Sequence, residues 1–385
     1  MTGASSTVGR PRRLREPGRL GRVLKVAVVA IVVVVAGFGV AEYLSSGLGE
    51  PTLVVYSYSS LFGGPGSANF SAVFGPFESS HHVRIDVEFP PSTLVSTLQA
   101  QANAPGADLV IGLDEITAPK AELLGLLQPY APPASELANI SSALVDEISP
   151  DYAVVPYEYG FLAIDYSSSF YNATHGAVAR TTFPDFTTNS SWDRQLLIED
   201  PTLDITGEEF LAWEVEYYEH VLHQNWTSFW KEVLPNLAYQ PAPDWGTAFG
   251  EFTSPTGPQL VVSYSTDPAY AAYYGQSGQY NSTVSWWNGT AYGWRTIYGI
   301  GIVRGSHHLA LDQEFENWFL TGAVQSQIPT SEWEYPANET IPVPSDIYRF
   351  AINPASIQPL NNWTTPYGLA GSINGWLTTY QQLAG

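Results

Sequence analysis

The sequence predicts an α/β protein of two lobes, and three observations support this fold class. The length of 385 residues suits two lobes of roughly 100–200 residues each better than one domain. Strand-like and helix-like segments alternate near the start of the folded part. Two long apolar strands, 154–164 and 295–303, lie far apart in the chain and can cross between lobes.

The first folded segment follows the order β-α-β-α-β. Residues 53–58, 83–89 and 107–113 are predicted strands, and helices are predicted over 69–77 and 92–102. The second helix begins with Ser92 as the expected N-cap. Helices between consecutive strands require parallel crossovers, so this segment predicts half of a doubly wound sheet.

The carboxyl ends of such strands are where ligands bind. Tyr58 follows the first predicted strand, and Asp114 and Glu115 follow the third. These three side chains are therefore candidate ligand contacts.

The rest of the chain completes the two lobes. Residues 154–164, interrupted by Pro156, predict the first crossing strand, and residues 295–303 predict the second. Further strands and helices are predicted over 196–199, 207–223, 260–264, 312–323 and 373–383. We expect residues 51–156 with 303–385 to form lobe 1, and residues 157–302 to form lobe 2.

The N-terminal residues 1–47 read as a targeting segment. Seven of the 15 basic residues lie in the first 25, and an uncharged, Val-rich stretch follows over 26–41. This pattern predicts a cytoplasmic basic tail with a membrane anchor or a signal peptide, with the remainder on the extracytoplasmic side, tethered or secreted. Nine Asn-x-Ser/Thr sequons agree with an exterior surface that is glycosylated.

Charge and missing motifs exclude several functions. From Pro51 onward, 34 acidic residues stand against eight basic ones, a balance that repels nucleic acid and suits a cationic ligand. Cysteine is absent, and the sequence has neither a nucleophile elbow nor a phosphate loop. His220 and His223 are spaced for a shared metal but have no evident third ligand. We therefore expect no enzyme, no metal and no cofactor.

Aromatic residues beside turn residues indicate the kind of ligand. Trp245, Tyr264, Tyr270 and Trp333 lie in or next to predicted loops, close to Asp and Glu. Large π faces beside carboxylates suit a delocalised organic cation.

Six segments of the sequence, in this order, resemble the thiamine-binding proteins of ABC importers. They are 55–60 with 64–66, 107–114, 156–160, 199–201 with Gly207, 263–270, and 328–336. The segments Ser-Tyr-Ser-Thr-x-Pro-Ala-Tyr and Ile-Pro-Thr-x-x-Trp-x-Tyr-Pro are the specific ones.

The resemblance implies the type II fold of periplasmic binding proteins, with thiamine as the ligand and an ABC permease and ATPase as partners. It implies that Tyr58, Trp245, Tyr264, Tyr270 and Trp333 line the pocket, and that Asp114 and its neighbour bind polar edges of the ligand.

Two positions depart from the family pattern. Gly64 stands where the family has a Trp, with Phe62 as a candidate replacement. Asp204 stands where the family has a small hydroxyl residue near the ligand's hydroxyl or phosphate end. A carboxylate there predicts a preference for free thiamine over its phosphate esters.

Two alternatives stay open from the sequence. Related two-lobed proteins bind polyamines or ferric ion, for which Tyr217–Tyr218 and Tyr273–Tyr274 are candidate ligands. An exported enzyme is the other alternative. Such enzymes commonly use Cys as the nucleophile, and this chain has none.

Overall fold

The structure is a computed structural model, and it describes residues 50–64, 66–169 and 180–385. The predicted anchor or signal segment, residues 1–47, lies outside these ranges. Within them, no helix is both long enough and apolar enough to cross a membrane. Residues Thr52–Gly385 form one compact unit.

The described strands number fourteen. They are β1 (Thr52–Tyr56), β2 (Arg84–Glu88), β3 (Leu109–Leu113), β4 (Leu127–Gln128), β5 (Val155–Tyr159), β6 (Leu162–Ser167), β7 (Leu196–Leu197), β8 (Leu260–Tyr264), β9 (Tyr280–Thr283), β10 (Ser285–Trp287), β11 (Thr290–Gly293), β12 (Ile297–Val303), β13 (Tyr335–Pro336) and β14 (Ile357–Pro359).

The α-helices of the same ranges alternate with these strands. They are α1 (Ala68–His81), α2 (Leu94–Ala100), α3 (Thr117–Leu123), α4 (Ala134–Leu137), α5 (Ser142–Ile148), α6 (Asp185–Thr188), α7 (Ile205–Glu216), α8 (Thr227–Val233), α9 (Trp245–Phe252), α10 (Asp267–Tyr273), α11 (Leu309–Phe319), α12 (Gly322–Gln325), α13 (Ile328–Ser331), α14 (Ser345–Tyr348) and α15 (Pro366–Ala384).

One sheet forms the first lobe. Its strand order in the described chain is β13-β5-β12-β3-β1-β2, with β4 beside β12. Strand β1 pairs in parallel with both β2 and β3, which confirms the crossovers predicted for the first segment. The helix after β2 has Thr93 as its N-cap, accepting from Ser96 N, so the prediction of Ser92 was wrong by one residue.

Two smaller sheets form the second lobe. Among the described residues their orders are β7-β8-β6-β9 and β10-β11-β14. A core of large rings, including Phe183, Phe210, Trp213 and Trp230, packs against them. Helix α7 continues through a π-helical turn over Tyr217–Leu222, so the helix predicted over 207–223 is one helix with a widened last turn.

Two segments cross between the sheets. The first lies inside the segment predicted as one strand over 154–164, but Pro156 lies within β5 and the interruption falls after Tyr159, so the predicted interruption at Pro156 was wrong. Strand β5 pairs with β12 in the first lobe, and after Gly160 the chain enters β6, which pairs with β8 in the second. The return runs from β11 into β12.

The C-terminal segment completes the second lobe. Strand β14 pairs with β11, and Leu369, Ile373 and Tyr380 of α15 join the core of the second lobe. We therefore propose lobe boundaries near Gly160, Thr296 and Ile352, which differ from the expected division by moving the last 30 or so residues to the second lobe.

Candidate functional site

A hydrogen bond between two tyrosines joins the lobes at the cleft. Tyr264 ends β8, in the second lobe, and its hydroxyl lies 3.1 Å from that of Tyr298, in β12 of the first. Burial raises the pKa of both phenols, so each stays protonated and one donates to the other. The ring of Tyr298 lies 5.8 Å from that of Tyr58, centroid to centroid. Sequence analysis predicted Tyr58 and Tyr264 but missed Tyr298, which lies inside an apolar strand.

Trp245 extends this set of rings within the second lobe. It begins α9, stacks on Phe249 with centroids 4.9 Å apart, and lies 6.2 Å from the ring of Tyr264. Its indole Nε1 donates to Ser263 Oγ at 2.9 Å, and that hydroxyl donates in turn to Asp267. The two hydrogen bonds fix the ring plane of Trp245.

Trp333 belongs to a second group of rings. Its centroid lies 5.2 Å from that of Tyr270 and 4.9 Å from that of Tyr273, both in the edge-to-face arrangement. Trp333 has a φ of 64°, a left-handed backbone that is uncommon for a bulky residue and is often found at binding sites. Phe249 lies 6.5 Å from Tyr270 and so connects this group to Trp245.

The hydroxyl of Tyr58 lies among polar side chains of the first lobe, two of which are glutamates. It donates to Glu332 Oε2 at 2.7 Å and lies 2.8 Å from the hydroxyl of Tyr157 and 3.3 Å from Glu158 Oε1. Burial raises the pKa of Glu332 to about 8, and burial with the charge of Glu332 raises that of Glu158. Glu332 was missed from the sequence, although it directly precedes Trp333.

Gly112 makes room for the ring of Tyr58. A Cβ atom at Gly112 would lie 2.5 Å from that ring, and the residue has a φ of +100°. Any side chain there would push Tyr58 out of place.

Phe62 lies outside the cleft. It is fully buried and packs against Phe74 and Phe319 in the core of the first lobe. The prediction that it replaces the missing Trp near Gly64 was therefore wrong.

Asp114 lies where β3 ends and α3 begins. Its Oδ1 accepts hydrogen bonds from Ile116 N, Thr117 N and Thr117 Oγ1 at 2.6–2.8 Å. Its Oδ2 is buried without a hydrogen-bond partner in the described chain. Burial raises the pKa of Asp114 to about 6, against the bonds from Thr117 and Ile116 and the charge of Lys120.

Two glutamates of α7 face Asp114 from the other lobe. Burial and the charge of Asp114 raise the pKa of Glu208 to about 7, with Lys120 acting in the opposite direction. Burial, Glu115 and Asp114 raise the pKa of Glu209, whose Oε2 accepts from Thr296 Oγ1 at 2.8 Å. A desolvated acidic group of this kind favours a cation as its partner. Sequence analysis missed both residues as site candidates, although two adjacent glutamates near the start of a helix could have indicated them.

Glu115 is engaged at the crossing strands. Its Oε1 accepts from Trp294 Nε1 and its Oε2 from Ile297 N, the latter at 2.9 Å. Both oxygens thus hold the segment between the lobes. These bonds would let Glu115 position the crossing segment, and its predicted contact with a ligand stays a prediction.

Asp204 caps α7 next to the rings. Its Oδ1 accepts from Thr206 N at 2.9 Å, and the hydroxyl of Thr206 lies 3.1 Å from that of Tyr264. Burial raises the pKa of Asp204, and nearby backbone N–H groups partly offset that rise.

A depression elsewhere lacks these features. A cavity of about 210 Å³ is lined by Glu115, Glu147, Asn361 and Thr365 among others, with no aromatic ring in its lining. It offers no stacking surface, so the ring-lined cleft is the candidate site.

Comparisons find similar proteins along most of the chain. No family model matches the sequence. A thiamine-binding periplasmic protein of Brucella suis is 25% identical over 311 residues, which cover 79% of this chain and 84% of the relative. The protein of that name from Escherichia coli is 23% identical over 343 residues, 86% of this chain and 93% of the relative. The predicted resemblance to thiamine-binding proteins is confirmed.

Solved structures agree on the fold. A periplasmic thiamin binding protein superposes with a TM-score of 0.71 at 21% identity, covering 87% of this chain and 97% of that one. The ferric binding protein from Campylobacter jejuni reaches 0.69 at 15% identity, with coverage of 86% and 99%. The two-lobed α/β fold of periplasmic binding proteins is therefore shared, and the side chains in the cleft must decide the ligand.

Proposed function

We propose that this protein captures thiamine between its lobes and delivers it to an ABC importer. The observation that carries the proposal is the set of rings around Trp245, Tyr264 and Tyr298, next to buried carboxyl groups of both lobes. The sequence similarity to thiamine-binding periplasmic proteins supports the same ligand.

Thiamine matches this lining in its two rings. Its aminopyrimidine is a flat polar aromatic, and its thiazolium is a delocalised cation. A cation over a desolvated Trp or Tyr face contributes about 1–2 kcal/mol per contact. The carboxyl groups of Asp114, Glu208 and Glu209 supply the negative charge that the thiazolium needs once water is excluded.

We infer that binding proceeds by closure of the lobes about the crossing strands. Rotation near Gly160 and Thr296 would open the hydrogen bond between Tyr264 and Tyr298 and admit the ligand. Closure would then sandwich the ligand and present both lobes together to the permease.

The proposal includes no turnover, since the lining supplies binding groups and the named relatives are binding proteins. It places the folded unit on the extracytoplasmic side of the membrane, as the periplasmic relatives suggest. A tether or signal in residues 1–47 remains part of the proposal.

Ferric ion is the alternative ligand, because the fold is shared with a ferric binding protein. Of its predicted ligands, Tyr217 and Tyr218 are buried in the core of the second lobe, and the hydroxyl of Tyr217 donates to Trp286 O at 2.8 Å. Tyr273 and Tyr274 are more than half exposed. Among the described residues, no three His, Cys, Asp or Glu side chains are grouped so that they could hold a metal ion. The positions of these four tyrosines therefore favour an organic cation over ferric ion as the ligand.

Calorimetric titration of the full chain with thiamine tests the proposal. We expect nanomolar to low-micromolar binding that Trp333→Ala weakens at least tenfold, roughly one lost cation–π contact. Trp287→Ala, at an exposed tryptophan of β10, is the matched control and should bind like the parent. Absence of heat with thiamine, together with binding of spermidine or a coloured ferric complex, would overturn the thiamine proposal.

A further inference from the structure

Asp165 is a buried acid in the middle of an apolar strand. It lies in β6, where the apolar residues 162–164 precede it, and its side chain is fully buried. The strand is internal to its sheet, because Asp165 stands opposite Val261 of β8 on one side and Ser282 of β9 on the other. A charge at such a place is costly unless a partner offsets it. The surroundings of Asp165 must therefore supply that partner.

The partner is a second carboxyl group. Ser282 Oγ donates to Asp165 Oδ1, and a hydrogen bond joins the side chains of Asp165 and Asp267. No N–H or hydroxyl group of the described chain bonds Asp165 Oδ2. Two carboxylates cannot form a hydrogen bond with each other without a proton, and like charges in contact do not both ionise. The pair therefore holds one proton between its two members.

Asp165 carries this proton and donates it in a hydrogen bond to Asp267. Asp267 begins α10 and already accepts from Ser263 Oγ and, at 3.1 Å, from Tyr264 N, which favours its ionised form. Burial raises the pKa of Asp267 to about 6, and the bonds from Ser263, Tyr264 and Asp165 oppose that rise. Burial, followed by the charge of Asp267, raises the pKa of Asp165 well above its ordinary value.

The other titratable groups near the pair, within the part of the chain that the structure describes, are acids and tyrosines. Burial is the main cause of the raised pKa of each, and the charge of Asp267 contributes for four of them: Glu199, Tyr270, Tyr280 and Glu334. The charge of Asp165 contributes likewise for Tyr166 and Tyr280. No lysine or arginine of the described residues takes part in the interactions of either carboxyl group. The proton, and no basic side chain, therefore limits the charge of the pair.

Hydrogen bonds lead from this pair to Trp245 in the cleft. Ser263 Oγ donates to Asp267 and accepts from Trp245 Nε1 at 2.9 Å. A serine hydroxyl has one proton, and because that proton points to Asp267, the oxygen lone pairs face the indole N–H. The ring of Trp245 lies 6.2 Å from that of Tyr264. The protonated pair thus sets the direction of the bond that fixes a ring of the candidate site.

We propose that Asp165 is a positioning residue for the cleft, which fixes the ring plane of Trp245 by donating a hydrogen bond to Asp267 and, through it, orienting the hydroxyl of Ser263. Neither Asp165 nor Asp267 is among the predicted ligand contacts. The inference rests on the proposed function only in that Trp245 contacts thiamine.

Two substitutions separate the hydrogen bond of Asp165 from the space that its side chain fills. Asp165→Asn keeps an oxygen for Ser282 and supplies an N–H for Asp267, but it has no proton that titrates. Asp165→Leu fills similar space and supplies neither group. Asp193→Asn, at an exposed acid of the same lobe, is the matched control.

Near-ultraviolet circular dichroism of the ligand-free full chain reports on Trp245 when the spectrum of each protein's Trp245→Phe counterpart is subtracted. We expect Asp165→Asn and Asp193→Asn to keep the Trp245 band and Asp165→Leu to lose it. In titration calorimetry, Asp165→Leu should bind thiamine about 5- to 30-fold more weakly, which corresponds to one lost cation–π contact. Asp165→Asn should bind thiamine like the parent.

A pH profile of the same band distinguishes positioning from a general loss of stability. As pH rises through the pKa of Asp165, the pair loses its proton and two carboxylates repel each other. The Trp245 band of the parent should therefore weaken between about pH 7 and about pH 10, and the band of Asp165→Asn should not change.

The outcomes decide the role of Asp165 separately from the identity of the ligand. Loss of the Trp245 band in Asp165→Asn at neutral pH, or its retention in Asp165→Leu, overturns the positioning role. If Asp165→Leu does not fold, the pH profiles decide, and identical profiles for the parent and Asp165→Asn overturn it. Absence of thiamine binding by the parent overturns the proposed function alone, since the spectra of the ligand-free protein still test Asp165.

Discussion

The hydroxyl groups of Tyr264 and Tyr298 lie 3.1 Å apart and form a hydrogen bond from one lobe to the other. The same Tyr264 hydroxyl lies 3.1 Å from Thr206 Oγ1. The hydroxyl oxygen of Tyr264, at the end of β8, therefore contacts both the crossing strand β12 and the start of α7. The closure of the lobes that we propose would make and break this contact.

Removing the Tyr298 hydroxyl should weaken ligand binding without unfolding the protein. A neutral hydrogen bond contributes about 0.5–1.5 kcal/mol net, so Tyr298→Phe should lower thiamine affinity about 2- to 12-fold. Titration calorimetry measures the change. Tyr239→Phe, at an exposed tyrosine, is the control, and an equal loss in both variants would show that the lobe-to-lobe bond contributes nothing.

Gly112→Ala should damage the site through Tyr58. The substitution strains a backbone with a φ of +100° and places a methyl group 2.5 Å from the Tyr58 ring. We expect a loss of about 1–3 kcal/mol in the free energy of unfolding, typical of overpacking, together with weaker ligand binding. Urea unfolding and calorimetry measure the two effects.

Gly375→Ala is the matched control for that substitution. Gly375 lies inside α15 with open space where a Cβ would go, so alanine should stabilise the protein by about 0.5–1 kcal/mol. A Gly112→Ala protein that binds thiamine like the parent would contradict the packing of Tyr58 described above.

The sequence predicted well those features that depend on neighbours in the chain. Strand β8 was predicted over 260–264 and is observed over Leu260–Tyr264. The prediction succeeded because a short apolar run between turn residues is typical of a buried strand. A crossing strand was predicted over 154–164 for the same reason, but its interruption was placed at Pro156 and is observed after Tyr159. Phe62 was misplaced, since adjacency to a glycine turn does not reveal which side of the turn a ring faces.

The acidic part of the site could not be predicted in the same way. Glu199 and Glu332 look like ordinary surface carboxylates in the sequence, and only the packing of distant segments buries them. Asp204 was named as a candidate only because a resemblance pointed to its position. Burial of a charge is a tertiary property, and no local pattern encodes it.

Thiamine binding should release a proton near neutral pH. Burial and Asp114 raise the pKa of Glu208 to about 7 in the ligand-free protein, with Lys120 opposing. A bound cation favours the ionised carboxylate. Affinity should therefore fall about tenfold between about pH 8 and about pH 6 for one linked proton.

The binding enthalpy in buffers of different ionisation enthalpy gives the number of protons released. Glu208→Gln should lower that number, and a buffer-independent enthalpy in the parent protein would contradict the linkage. Affinity rises with pH, but the stability of the unliganded protein falls. Because the folded pKa of Glu208 lies above its ordinary 4.5, the free energy of unfolding falls as pH rises from about 4.5 to about 7.

Glu115→Ala should destabilise the connection between the lobes more than any surface carboxylate can. The substitution leaves Trp294 Nε1 and Ile297 N, both buried, without their acceptors. Each buried unsatisfied donor costs about 1–3 kcal/mol, so the loss of both acceptors should lower the free energy of unfolding by about 2–6 kcal/mol. Glu115→Gln keeps one acceptor oxygen and should cost about half as much. Urea unfolding beside Glu251→Ala, an exposed glutamate of α9, measures the difference, and equal midpoints for Glu115→Ala and Glu251→Ala would refute the positioning role of Glu115.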